Sequence, residues 1–301
     1  MPSPEFNAIY QAMSAQEPRA NVSIEELREE SEQKAAGRIL APNIKVESID
    51  PKKAGTDCVA MEWVVAPQAD RSKVVVYYHG GGYYRGSVNT VREMVSRISA
   101  ASGWAVLSVG YRIAPENPFP AAVDDAYAGA RWLMGQPGIS RWATGGDSAG
   151  GGLALAVMLR LRDEGKPLPH GAVLMSPWTD MSQSGETYEE KAAIDPFISK
   201  EYLDRFAQMY LAGASVEHPW ASPLKADLAG LPPLLIQVGT AEVMLGDSRR
   251  LAEKAQAAGV SVKLDEWQDM IHVWQNNGPG LPEGVSATHQ IGEFLKKLGD
   301  S

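Results

Sequence analysis

The residues with the plainest chemical meaning lie in Gly146-Asp147-Ser148-Ala149-Gly150, where a serine has a glycine two positions away on each side. A short strand-like run at 141–144 precedes it and an apolar helical pattern at 149–164 follows. A serine on a tight strand-to-helix turn needs small neighbours if its hydroxyl is to stand clear, and the helix start supplies N–H groups beside it. Ser148 is therefore a candidate nucleophile. The segment has no Gly-Lys-Ser/Thr of a phosphate-binding loop, nor the Gly-x-Gly-x-x-Gly spacing of a dinucleotide turn.

A second feature complements it. The apolar run at 74–78 leads straight into His79-Gly80-Gly81-Gly82-Tyr83-Tyr84. Successive glycines let backbone N–H groups turn toward a bound ligand with no side chain in the way. In acyl transfer such donors meet the anionic oxygen of the tetrahedral intermediate, each worth roughly 3–4 kcal/mol. His79, at the strand end, suits a structural task, holding the loop by hydrogen bonds.

A serine nucleophile needs a base and an acid. On an α/β-hydrolase sheet they follow in chain order serine, acid, histidine. Of the five histidines, His79, His170, His218, His272 and His289, only His272 lies just after the last strand-like run at 262–266. His289 falls inside the final helix, and His170 and His218 sit in polar, Pro-flanked stretches. Glu242 is the first carboxylate past the run at 234–238 and is the expected acid, with Asp180 and Asp247 as rivals. Asp247 should lie at a helix start, where a carboxylate has a capping role.

The elements that would position these groups alternate. Strand-like runs at 44–49, 58–65, 74–78, 105–109, 141–144, 172–175, 234–238 and 262–266 are separated by helical patterns at 90–101, 121–134, 149–164, 247–258 and 284–298. That rhythm predicts a mostly parallel eight-stranded sheet flanked by helices. Residues 1–40 are polar and helical in pattern, with Ser23 and Glu26 spaced as a capping box. Residues 181–230 carry helical pieces, notably 199–211, and no strand. The expected division is a core at 41–180 and 231–301, with 1–40 and 181–230 forming a helical cap.

Composition sets outer limits. The chain has 301 residues, 44% hydrophobic and 22% charged, enough for a full core. A formal net charge of −9 with scattered Lys and Arg argues against a nucleic-acid surface. The single cysteine, Cys58, rules out an intrachain disulfide and reads as a buried small hydrophobe. The first residues lack the basic start and apolar centre of a signal peptide, and no apolar run has the length of a membrane span. A cytoplasmic protein is the resulting expectation. The last run, at 262–266, would leave an exposed edge that could pair in a homodimer.

His79-Gly80-Gly81-Gly82, Tyr111-Arg112-Ile113-Ala114-Pro115-Glu116, Gly146-Asp147-Ser148-Ala149-Gly150-Gly151 and Ser176-Pro177-Trp178 together resemble the bacterial hormone-sensitive-lipase-like esterases, in the branch with Gly-Asp-Ser-Ala-Gly. The resemblance runs from about residue 40 to the C-terminus. It implies an α/β-hydrolase fold with a helical cap and carboxylic ester hydrolysis through an acyl-serine. It also implies short acyl chains, no metal or cofactor, and an oxyanion hole from the N–H groups of Gly81, Gly82 and Ala149. The family more often has Asp-Pro-Leu-x-Asp where this chain has Glu242-Val243-Met244-Leu245-Gly246-Asp247, so the acid here has a longer arm. Arg112, Glu116 and Asp124 are expected to pair and hold the loop below the site. A ligand-binding protein on the same scaffold, like the plant gibberellin receptors, would lack a base, which His272 supplies. A peptidase or amidase would share the triad. Tyr188, Phe197, Tyr202, Phe206 and Met209 are expected mostly to pack between cap helices.

Overall fold

Strands form where apolar residues run without a break, and helices where they recur on one face. In the computed structural model, which describes residues 1–15, 22–51 and 60–300, two helices come first, α1 (Pro4–Ser14) and α2 (Ile24–Ala36). The first half of the chain continues as β1 (Lys45–Ile49), β2 (Ala60–Val65), β3 (Asp70–Tyr78), α3 (Val88–Ser102), β4 (Trp104–Gly110) and α4 (Ala121–Met134). Then follow β5 (Arg141–Asp147), α5 (Ala149–Asp163), β6 (Ala172–Met175), α6 (Thr187–Glu190), α7 (Lys200–Leu211), β7 (Leu234–Gly239), α8 (Leu245–Ala257), β8 (Val262–Trp267) and α9 (Pro282–Asp300). Cys58 and the start of the strand expected there lie outside the described residues.

The strands make one sheet in the order β1-β2-β4-β3-β5-β6-β7-β8. The pairs β1–β2 and β2–β4 are antiparallel, and every pair from β4 to β8 is parallel. Central strands β5, β6 and β7 are buried almost throughout because helices cover both faces. On one face Met94, Val95 and Ile98 of α3 and Ile291, Leu295 and Leu298 of α9 pack together. On the other lie Val123 and Ala126 of α4, Leu153 and Val157 of α5 and Leu251 of α8. β8 stands at a sheet edge, the position from which a second copy would extend the sheet. Among the described residues no helix is long and apolar enough to cross a membrane.

This topology sends four connections out of the same end of the sheet. Beyond the C-terminal ends of the parallel strands β3, β5, β7 and β8 come His79, Ser148, Glu242 and His272 respectively, the end at which open α/β sheets bind ligands.

The N-terminal helices close over that end. Ser3 caps α1 by accepting from the Phe6 N–H at 3.1 Å, and its own N–H and hydroxyl donate to Glu283 of α9 at 2.6 and 2.8 Å. Phe6 is buried against Met270, Ile271 and Trp274, in the segment that carries His272. The Ser23–Glu26 capping box forms as its spacing implies. Arg28 of α2 donates to the carbonyls of Tyr84 and Ala114 and pairs with Glu116, joining α2 to two loops of the sheet.

The expected mutual pairing of Arg112, Glu116 and Asp124 does not occur. Arg112 grips Asp125 through Nε and Nη2, each at 2.8 Å, while Asp124 pairs with Arg160 of α5 and Glu116 with Arg28. Consecutive residues on a helix point about 100° apart. Asp125 therefore faces inward to the Tyr111–Glu116 loop, and its neighbour Asp124 faces α5.

Candidate active site

The turn between β5 and α5 is built by exclusion of side chains. A Cβ on Gly146 would stand 2.3 Å from the Gly150 carbonyl carbon, and one on Gly150 only 2.0 Å from the Tyr78 carbonyl oxygen. No side chain fits at either place, so α5 can start directly against β3. Between them Ser148 takes φ 52° and ψ −121°, a conformation rare for a residue with a Cβ. Its backbone is pinned there: its N–H donates to Met175 O at 2.8 Å, and its carbonyl accepts from Gly151, Gly152 and Trp178. The strained turn is thus over-determined by its surroundings, and Ser148 lines the cavity above it.

The glycine loop lies beside it. Gly81 and Gly82 have φ of 115° and 61°, in the region that favours glycine. Gly80 lies against Asp147, where an added Cβ would meet Oδ2 at 2.2 Å. Asp147 Oδ1 accepts from the Gly80 N–H at 3.0 Å and the Tyr77 hydroxyl at 2.7 Å, so this carboxylate fastens the loop to the turn. Burial raises the Asp147 pKa, against the opposing pull of those two donors. Among the described residues the N–H groups of Gly81, Gly82 and Ala149 donate to no acceptor. His79 is held mainly by stacking on Tyr111, with ring centroids 4.1 Å apart, and its Nδ1 meets Gly80 O at 2.8 Å. Burial lowers its pKa to about 4, so it is neutral.

His272 and Glu242 meet directly. His272 Nδ1 lies 2.6 Å from Glu242 Oε2, both side chains being buried. Glu242 Oε1 accepts from the Gly239 N–H at 2.7 Å and the Ser176 hydroxyl at 2.8 Å. Burial alone would lower the His272 pKa. The charge and hydrogen bond of Glu242 outweigh it, with help from Asp195 and Asp147, and the pKa ends above its ordinary 6.5.

The two rival acids are engaged elsewhere. Asp180 accepts from Ser182 and Ser184 and pairs with Arg250. Asp247 does stand in the first turn of α8, but it does not cap that helix. It accepts from the N–H groups of Thr179 and Asp180, both at 3.0 Å, and from the Tyr188 hydroxyl, and it too pairs with Arg250. Its inward orientation lets it brace the loop after β6. Burial raises its pKa to about 6. His170 contacts Trp142, His218 lies against Phe119 and Trp220, and His289 is exposed on α9.

Four further residues contribute, three of them outside any motif. Ser176 bridges the acid to the base loop, since its hydroxyl also accepts from the Val273 N–H at 3.2 Å. Asp195, in the segment between α6 and α7, accepts from Phe197, Ile198 and Val243 N–H groups, each at 2.9 Å. Burial raises its pKa. It ties the overlying segment to the residue after Glu242 and adds negative charge near His272. Arg38 and Arg85 join the glycine loop, Ser148 and His272 in lining a cavity of about 250 Å³. Ser176 lay inside a motif and was visible there, whereas Asp195, Arg38 and Arg85 belong to no local pattern. Of the aromatic residues beyond β6, Phe197 and Tyr202 also line the cavity, whereas Tyr188 and Phe206 are buried in the core. No cluster of three His, Cys, Asp or Glu side chains that could hold a metal ion is found among the described residues.

Known proteins resemble this chain in sequence and fold. Residues 75–276 match the alpha/beta hydrolase fold family. The chain is 46% identical to an acetyl-hydrolase of Streptomyces hygroscopicus over 79% of its own length and 80% of that protein's. It is 34% identical to the carboxylesterase NlhH of Mycobacterium tuberculosis, over 86% of this chain and 84% of the other. An esterase crystal structure from the bacterial hormone-sensitive lipase family superposes with a TM-score of 0.93 at 44% identity, covering 99% of each chain. With its eight-stranded, mostly parallel sheet, the chain belongs to the α/β-hydrolase fold family and is a serine ester hydrolase of the bacterial hormone-sensitive-lipase-like group.

Proposed function

We propose that Ser148, His272 and Glu242 form the catalytic triad of a carboxylesterase acting on short-acyl esters. Glu242 Oε2 accepts the Nδ1 proton of His272, which leaves Nε2 free to take the Ser148 hydroxyl proton. Ser148 Oγ then bonds to the ester carbonyl carbon, and the carbonyl oxygen becomes anionic. The N–H groups of Gly81, Gly82 and Ala149 are the donors for that oxygen. His272 returns the proton to the leaving alcohol as the bond to it breaks. Water repeats the sequence on the acyl-serine, releasing the acid.

The observation that carries this reading is the 2.6 Å contact of His272 with Glu242 beside a strained serine on the same cavity. Short acyl chains suit a cavity of about 250 Å³, small beside the roughly 300–1,000 Å³ usual for ligand pockets. Helices α1 and α2 with residues 181–230 serve as the cap, the remainder being the hydrolase core.

The test is hydrolysis of p-nitrophenyl esters from acetate to laurate. Activity should be highest on the shorter chains. Ser148→Ala should lose it by about 10⁴-fold or more while keeping the circular dichroism spectrum. Retained activity in the variant overturns the nucleophile, and a maximum at laurate overturns the short-acyl reading.

A further inference from the structure

Cations surround the proposed catalytic cavity on a protein that is acidic overall. Lys34 and Arg38, from the end of α2 and just beyond it, and Arg85, after the glycine loop, all line it. Among the described residues the single carboxylate in the lining is Asp147, which is buried and already accepts from Tyr77 and Gly80. The formal net charge of the chain is −9, so a cavity of this sign is not a consequence of composition.

Among the described residues none of these three cations pairs with a carboxylate. The other arginines around the site are satisfied: Arg28 holds Glu116, Arg92 holds Glu62, Arg97 holds Glu93 and Arg112 holds Asp125. Glu32, the carboxylate of α2 one turn before the cavity, is taken by Ser87 and Asn89. Arg38 donates from Nη1 alone, to Asn276 Oδ1 at 2.8 Å and Thr90 O at 3.3 Å. Among the described residues its Nε and Nη2 meet no acceptor and no carboxylate pairs with it. Burial lowers its pKa, as expected for a cation drawn from water without a full counter-charge. Among the described residues the Arg85 guanidinium meets rings alone, lying 5.4 Å from the Tyr84 centroid and 5.9 Å from that of Phe197. The planar fork of a guanidinium matches a carboxylate, which would fill the donor positions left open toward the cavity.

From this placement we infer that the cavity is adapted to esters carrying a second, anionic group, a carboxylate held by Arg38 with Arg85 and Lys34 adding attraction. The inference rests on the catalytic reading above. Two substrate classes share that chemistry: half-esters of dicarboxylic acids, with the carboxylate on the acyl side, and acylated hydroxy acids, with it on the alcohol side. Arg38 and Arg85 are then specificity-determining residues for an anionic ester.

The test compares kcat/KM at low salt for two matched pairs. Monoethyl succinate against ethyl levulinate probes the acyl side, and acetoxyacetate against acetoxyacetone probes the alcohol side, a methyl ketone replacing the carboxylate in each. In at least one pair the ratio of anionic to neutral ester should fall about tenfold in Arg38→Gln, less in Arg85→Gln, and be partly restored in Arg38→Lys. High salt should erode the wild-type ratio. The responding pair identifies the substrate class. Ratios that neither substitution nor salt changes, in both pairs, overturn the inference. Calorimetric binding of the same four compounds to Ser148→Ala separates the two readings. A protein that cleaves no ester contradicts the catalytic assignment, while an anion preference in binding that Arg38→Gln removes still supports the site.

Discussion

The floor and the roof of the cavity are built on opposite principles. The floor, where β3 and β5 give way to the glycine loop and Ser148, is close-packed backbone. Gly80, Gly146 and Gly150 admit no Cβ, and Asp147, Tyr77 and the Ser148 peptide are fully engaged. The roof, from α2, the segment before α7 and α7 itself, is made of long side chains. Among the described residues Arg38 Nε and Nη2 meet no acceptor, and Phe197 is 43% exposed. A rigid floor would hold the proposed reacting groups in place, and a roof of adaptable side chains is where substrate choice can be set.

The largest way to break that contrast is to fill the floor. Gly150→Ala would drive a methyl to 2.0 Å from the Tyr78 carbonyl, where backbone, not a flexible side chain, must give way. We expect a loss of more than about 3 kcal/mol in stability by denaturant titration, against under about 1 kcal/mol for Gly280→Ala, whose Cβ would meet nothing within 4 Å and whose φ is not positive.

Next in size is Glu242→Gln. The wild-type kcat/KM should fall on the acid side as His272 protonates, with a midpoint above pH 6.5 because its pKa is raised. Removing the Glu242 charge leaves burial dominant, so the limb should move to lower pH, and kcat should drop by about 10²–10⁴-fold as the imidazole loses its orienting partner. A limb that stays in place would separate Glu242 from the base.

Asp195→Asn is a smaller perturbation from the roof. It removes a more distant charge and gives the Val243 N–H a poorer acceptor. The same limb should shift downward by less than in Glu242→Gln, with activity reduced about tenfold, as a pH–rate profile would measure. An unchanged profile would make Asp195 only a strut.

The same contrast explains what could be read from the chain. The floor depends on short-range rules, glycine spacing and a serine between strand and helix, and these are local. Ser148, the glycine loop and the strand at Ala172–Met175 were legible for that reason. β5 runs on to Asp147, beyond its expected end, because Gly145 and Gly146 carry little strand propensity and are held by pairing with β6. The chain-order rule pointed to His272 and Glu242, but not to the Ser176 bridge between their loops. The roof joins residues far apart in sequence, as in Arg38 with Asn276 and Asp195 with Val243, and no periodicity marks them. Asp125 rather than Asp124 reaches Arg112 because of helix phase, a difference of one residue that charge content cannot reveal.

Every step of the proposed reaction depends on Ser148 as the attacking group. Treating the protein with a fluorophosphonate and mapping the modified peptide by mass spectrometry tests it most directly. One adduct is expected, on Ser148, appearing as esterase activity is lost and absent from Ser148→Ala. Complete inactivation with the label on another residue, and Ser148 unmodified, would contradict it.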